Sequence, residues 1–229
     1  MLALIAAAAF LLASHFVPSS TGLRAALVTR LGERAYLGLY SVVALGAIVW
    51  LVAAWRRAPY LELWPTAGWL AIIPLLLMPI ALIFLVGGVS GPNPTAVGAP
   101  DILGAPEPAR GMVRITRHPV MWAIAVFALS HMVVNGDLAS VIFFGSFAAL
   151  ALVGTTLIDR KYAARRGADW QRLAAITSNL PFAAIAAGRQ RLVLAEIGWA
   201  RFGAALLLYV VLLALHPWLF GASALGGLA

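Results

Sequence analysis

Four histidines carry most of the chemistry this chain could perform: His15, His118, His131 and His216, in 229 residues that contain no cysteine. Neutral imidazole is the commonest metal ligand among side chains and an axial ligand of haem iron. Without cysteine there are no disulfides, no thiolate metal sites and no covalent haem attachment through C-x-x-C-H. Two of the four sit on one apolar run, "ITRHPVMWAIAVFALSHMVVNGD", Ile115 to Asp137. Pro119 suits the first position of a helix, where its missing N–H costs nothing, so His118 falls at the cap. Thirteen residues separate His118 from His131, which at helical rise is roughly 20 Å, with the two side chains about 140° apart around the axis. They are two features and not a pair.

His15 and His131 both lie inside apolar segments. An ionisable group there is a functional hypothesis by default, facing the bundle interior with a partner. Asn135 follows His131 on the same face. No Asp or Glu lies inside the apolar runs, so a proton relay lacks its carboxylates. Two intramembrane histidines on different helices, without cysteine or carboxylate, favour haem over zinc or a di-iron centre. His216 in "LHPWLF" neighbours Trp218, which is the chemistry of an interfacial aromatic belt.

Long apolar helices must position these residues. The chain is 63% hydrophobic and 10% charged, whereas soluble domains run about 45–50% apolar and roughly 25% charged. Six segments approach the ~20 residues a spanning helix needs: about 2–17, 35–55, 67–89, 119–134, 138–158 and 201–220. The expectation is an all-α integral membrane bundle of about six helices forming one domain over residues 1–229. The first segment lacks a basic n-region and an Ala-x-Ala site, and reads as a retained helix.

The net charge of +8 does not point to nucleic acid. Fourteen of the sixteen Lys and Arg follow the first, third and fifth segments, and only Arg56 and Arg57 lie on the other side. This is a positive-inside bias. It predicts a multi-pass membrane protein with its basic loops cytoplasmic and both termini on the outer side, in contact with anionic lipids. By helical rise, His15 then lies roughly 20 Å and His131 about 5 Å below the outer surface. Ordinary helix tilt of ~20° must narrow that gap if both are to serve one iron. Were both to hold one haem, Asn135 would stand beside His131, and Arg56 or Arg57 would be candidates for pairing an outward propionate.

The connections carry their own signals. "PSSTGLRAALVTRLGER" reads as a short interfacial helix. Pro74 and Pro79 in "IIPLLLMP" free carbonyls one turn earlier, so the third helix should kink and draw satisfaction from neighbours. The Gly- and Pro-rich stretch from Gly87 to Gly111 should pack on the bundle. "DRKYAARRGADWQRLAAITSNLPF" should continue the fifth helix, break near Gly167, and then bury Trp170, Leu173 and Ile176 along one side.

Five blocks in order, "SHFVPSS", "RLGERAYLGLYS", "RGMVRITRHPVMW", "SHMVVNGDLASVIFFGSFAALALVG" and "ITSNLPFAAIAAGR", resemble the NnrU family of bacterial membrane proteins over nearly the full chain. That family is named for a requirement in nitrite and nitric oxide metabolism during denitrification. It is related to 15-cis-zeta-carotene isomerase, a membrane enzyme that carries haem b. The resemblance implies axial ligation by His15 and His131, with His118 as a third retained histidine. It also implies a lipophilic polyene substrate and a redox donor for the iron, or else a haem-based accessory role. A more distant similarity, resting on Arg117-His118-Pro119 and Asp159, is to the isoprenylcysteine carboxyl methyltransferase group. That similarity implies an S-adenosylmethionine site on the cytoplasmic side. A non-catalytic membrane partner is the remaining alternative.

Overall fold

The computed structural model describes residues 1–95 and 102–225. Ten helices follow in order: α1 (Leu2–Ser20), α2 (Leu23–Leu31), α3 (Glu33–Arg56), α4 (Ile72–Ser90), α5 (Met112–Ile115), α6 (Pro119–Asn135), α7 (Leu138–Ile176), α8 (Ala183–Ala186), α9 (Leu194–Ile197) and α10 (Trp199–Phe220). No strand occurs among the described residues, so the protein is all-α. Five helical segments, α1, α3, α4 with its preceding 3-10 turn, α7 and α10, are long and apolar enough to cross a membrane. The sixth expected span, α6, has only 17 residues. The structure therefore supports a membrane bundle without fixing the number of crossings at six.

The order of packing is α3 on α1, α1 on α7, α7 on α6, α6 on α4 and α4 on α10. Residue spacing explains the first contacts. Leu4, Ala7, Ala8 and Leu11 of α1 are buried, an i, i+3, i+4, i+7 stripe. They meet Ala47, Leu51 and Ala54 of α3 and Phe143, Phe144 and Ala148 of α7. Alanines at these contacts let backbones approach closely, the usual device where lipid removes the hydrophobic drive between helices.

Proline and glycine set the local geometry. Pro74 occupies the first turn of α4, where no helical hydrogen bond is lost, so the expected break at Pro74 becomes a helix start. Pro79 lies inside α4 and cannot donate to the Leu75 carbonyl. Tyr209 of α10 supplies the missing donor, its hydroxyl bonding Leu75 O at 3.0 Å. At the far end of α6, Gly136 adopts φ +65°. There the Leu63 and Trp64 amides donate to its carbonyl at 2.8 and 3.1 Å, and Leu138 N–H donates to Leu61 O at 2.9 Å. Asp137 caps α7 by accepting from Ser140 N–H at 3.0 Å.

Helix α7 extends well past the expected span at 138–158, through 39 residues, with non-helical geometry only at Gly167. The break predicted at this glycine is present: its φ of +47° and ψ of −118° are non-helical and divide α7 in two. Beyond it Trp170 and Leu173 are buried while Ile176 is exposed, so the expected apolar side is two residues wide. The stretch after α4 packs on the bundle as expected, with Asn93, Leu103 and Ala109 buried; its residues 96–101 lie outside the described residues. The interfacial helix expected after the first segment is α2, which buries no residue.

Candidate functional site

His15 and His131 are held by the same local device. In each case a serine precedes the histidine. Ser14 Oγ donates to Leu11 O at 3.0 Å, and His15 Nδ1 lies 2.8 Å from that same carbonyl. Ser130 Oγ donates to Phe127 O at 3.0 Å, and His131 Nδ1 lies 2.9 Å from it. A carbonyl only accepts, so each ring donates from Nδ1–H. Among the described residues neither Nε2 has a hydrogen-bond partner. An Nδ1–H fixed on a backbone carbonyl with a free Nε2 is the arrangement of metal-ligating histidines.

The two rings sit at different levels. His15 packs edge-on against Tyr40 at 5.5 Å between centroids. His131 packs against Phe127 at 4.7 Å and Phe144 at 5.4 Å, and Phe144 in turn meets Trp55 at 6.2 Å. Tyr40 and Trp55 both belong to α3, fifteen residues apart, or about 22 Å of helical rise. Two axial nitrogens on one iron are only ~4 Å apart, given metal–imidazole bonds near 2 Å. Each imidazole is chemically fit to ligate, and the two pack toward different levels of α3.

The other expected residues fall as follows. Asn135 donates its amide to the His131 carbonyl at 2.7 Å and so braces the backbone, while the ring is held by Phe127. Arg56 and Arg57 follow Trp55 and are exposed, at the His131 end of α3 and remote from His15. Arg56 Nη2 reaches Leu219 O at 3.4 Å. His216 is partly buried, with Nδ1 2.7 Å from Ala222 O and its ring on Phe220. No group of three or more His, Asp or Glu able to hold a metal ion occurs among the described residues.

His118 stands in a second constellation at the other end of α6. It is the N-cap of that helix but makes no capping bond with its side chain. Its Nε2 instead lies 2.7 Å from Asp159 Oδ1 on α7. Arg117 grips the same carboxylate through Nε at 2.9 Å and Nη2 at 2.7 Å, the bidentate geometry in which Arg–carboxylate pairs are strongest. Backbone from 177–182 buttresses this corner. Arg117 N–H donates to Ser178 O at 3.1 Å, Phe182 N–H to Ile115 O at 2.9 Å, and Thr116 Oγ1 to Asn179 O at 2.5 Å. Gly88 of α4 lets the Pro119 corner approach, since a Cβ there would meet Val120 Cγ2 at 2.9 Å and Pro119 Cγ at 3.0 Å. His118 is completely buried. Burial pushes its pKa down, against the opposing pull of the Asp159 hydrogen bond.

A third cluster clasps the segment leading to α10. Arg114 binds Glu196 through Nε and Nη2, both at 2.8 Å, and Gln190 through Nη1 at 2.8 Å. Gly111 N–H adds a bond to Glu196 Oε2 at 2.9 Å. The Arg114 hydrogen bonds hold the Glu196 carboxyl down to about 2. Nothing local signals this pair, because charges eighty-two residues apart leave no periodic pattern.

A family model described as NnrU protein matches residues 3–224. The chain belongs to that family. Among curated proteins it is similar to the chloroplastic 15-cis-zeta-carotene isomerase of Zea mays, 31% identical over 163 residues, which is 70% of this chain and 44% of the relative. The corresponding protein of Arabidopsis thaliana is 37% identical over 120 residues, 49% of this chain and 32% of the relative. The aligned part thus spans less than half the length of these curated relatives. No solved structure matches the chain.

Proposed function

We propose that this NnrU-family membrane protein is an isomerase-like enzyme acting on the double bonds of a lipophilic polyene, with haem b held inside the bundle. The single observation that carries the haem reading is the pair of Ser-His devices, each of which orients an imidazole and leaves Nε2 free. His131 is the better ligand of the two. Its ring is lodged between Phe127 and Phe144, and Arg56 and Arg57 lie at its own end of α3 to pair a propionate. His15 packs against Tyr40, about 22 Å of rise along α3 from the Trp55 end near which His131 sits. This reading therefore gives the iron to His131, where the sequence suggested the pair His15 and His131.

When bound, haem supplies an iron centre whose electronics the axial ligand and its surroundings tune. The chain's own residues do the rest. Phe127 O accepts from His131 Nδ1–H, Asn135 stiffens the turn behind it, and the Phe127, Phe143 and Phe144 rings make its surroundings apolar. A redox donor would be needed to set the iron's oxidation state. The orientation reading places both termini in the periplasm of a bacterial inner membrane; a C-terminal alkaline phosphatase fusion should be active and a fluorescent fusion dark. The activity is tested by incubating the haem-loaded protein in lipid nanodiscs with a cis-polyene under reducing and oxidising conditions and resolving the isomers chromatographically. Conversion is expected to depend on haem and on His131. A haem-loaded protein that binds nitric oxide but leaves every polyene isomer unchanged would move the reading to an accessory of nitrogen-oxide metabolism.

A further inference from the structure

Folding gathers three cations at the end of the bundle where α1 turns into α2. Phe10 meets Trp50 at 5.7 Å and His15 meets Tyr40 at 5.5 Å, so α1 and α3 run antiparallel. Trp55, near the end of α3, stacks on Phe143, near the start of α7, at 4.8 Å. From that contact Tyr36 lies nineteen residues back along α3 and Lys161 eighteen residues on along α7, roughly 28 and 27 Å of helical rise. Arg24 of α2 spans the two helices at this level. Its guanidinium lies over the Tyr36 ring at 5.4 Å, and its charge, with that of Arg165, repels the Lys161 ammonium. Arg24, Leu27 and Val28 are the half-buried i, i+3, i+4 face of α2, so this helix turns an arginine toward the bundle. Glu33 is ion-paired to Arg24 at 3.0 Å. The carboxylates of α7 are engaged elsewhere, Asp159 by Arg117 and His118 and Asp169 by Arg172. Three cations thus share one carboxylate, and like charges held close together raise the free energy of the fold.

We propose that Arg24, Lys161 and Arg165 form a site for the headgroup phosphate of an anionic phospholipid, at the membrane surface between α2 and α7. Charge selects the class. A zwitterionic headgroup brings its own cation to a cluster already in excess of positive charge, whereas a phosphatidylglycerol headgroup brings a negative charge and no cation. Basic pockets between transmembrane helices on the cytoplasmic side hold anionic headgroups in this way. The cluster opens outward, because Arg165 is exposed and the Glu33 side chain is 65% exposed, so a headgroup approaches without displacing packed side chains. Val17 and Leu23, on either side of the turn between α1 and α2, are exposed apolar residues against which the acyl chains lie. The site sits at the Tyr36 end of α3, away from the Trp55 end near His131, and is independent of the haem reading.

The test uses the full chain purified in dodecyl maltoside, titrated with phosphatidylglycerol, phosphatidylcholine or inorganic phosphate, with native mass spectrometry counting the bound lipid. The expected result is a phosphatidylglycerol held in preference to phosphatidylcholine and not displaced by inorganic phosphate. Lys161→Gln combined with Arg165→Gln should weaken that binding by about fivefold for each cation removed. Arg30→Gln combined with Arg34→Gln takes the same charge from exposed positions outside the cluster and should leave the lipid in place. In lipid-free micelles the Lys161→Gln, Arg165→Gln variant should unfold no more readily than wild type, because it relieves repulsion. Added phosphatidylglycerol should then raise the unfolding temperature of wild type and not of that variant. Equal retention of phosphatidylcholine, or equal weakening by the two double variants, would overturn the proposal by showing a diffuse attraction. Displacement by inorganic phosphate would overturn it in favour of a soluble phosphate ligand. A Lys161→Gln, Arg165→Gln variant less stable than wild type without lipid would contradict the repulsion on which it rests.

Discussion

Removing the Asp159 carboxylate is the sharpest perturbation of the corner that joins α6 to α7. Asp159→Ala deletes three charge-assisted bonds at once: two from Arg117, at 2.9 and 2.7 Å, and one from His118, at 2.7 Å. The Arg117 side chain is 13% exposed and His118 fully buried, so neither recovers its lost partner from water. Breaking a buried ion pair by removing one member typically costs about 3–5 kcal/mol, mostly the penalty of the charge left behind. Asp159 itself is partly exposed, which places the expectation near the lower end, at about 3 kcal/mol. The penalty belongs to the orphaned cation, so Arg117→Met combined with Asp159→Leu should recover most of the loss. Reversible unfolding in mixed micelles, followed by circular dichroism, measures both variants. A cost below about 1 kcal/mol for Asp159→Ala would be that of an exposed pair and would refute the buried-corner reading. A double variant as unstable as the single one would refute the orphaned-charge explanation.

Gly136→Ala places a Cβ 2.5 Å from the Trp64 carbonyl oxygen at φ +65°, so it should cost more than the ~1 kcal/mol typical of a single substitution, read from thermal unfolding of the detergent-solubilised chain. Tyr209→Phe leaves the Leu75 carbonyl without its donor beside Pro79; the expected loss is about 0.6–1.7 kcal/mol, the range for interhelical bonds in membranes, measured by steric trapping. The Glu196 carboxyl is held at about 2 by Arg114, below its ordinary value near 4.3. A depressed acid stabilises the fold fully above the ordinary value and loses that contribution as pH falls toward about 2. Protease protection of the 190–197 segment should therefore fall in that window, and Glu196→Gln should abolish the dependence.

Much of this architecture was legible because helices announce themselves locally. The apolar runs, the His118 cap before Pro119, the unsatisfied carbonyl behind Pro79 and the break at Gly167 all follow from short-range rules. What escaped local rules came from distance. Asp159 closes on His118 across forty-one residues, and Ser178 and Asn179 lie against Arg117 and Thr116 through backbone bonds that leave no periodic trace. The continuation of α7 past its apolar span was legible too, because Arg, Lys and Ala are strong helix formers. The Ser-His repetition was present in the sequence at 14–15 and 130–131, yet the shared carbonyl that accepts from each ring becomes visible only in three dimensions. Pro74 misled for a simple reason: a proline disrupts only the interior of a helix, and α4 starts two residues before it.

The central claim is that haem rests on His131, and the visible spectrum of the haem-loaded protein tests it most directly. Wild type, His15→Ala, His118→Ala and His131→Ala should be expressed with excess haem, purified and compared for haem content and ferric spectrum. The account predicts a Soret band and a high-spin, single-histidine spectrum in wild type, His15→Ala and His118→Ala, and loss of haem in His131→Ala alone. Full haem retention in His131→Ala would contradict it, as would a low-spin wild-type spectrum that His15→Ala destroys, which would mean that α1 carries His15 to the iron after all.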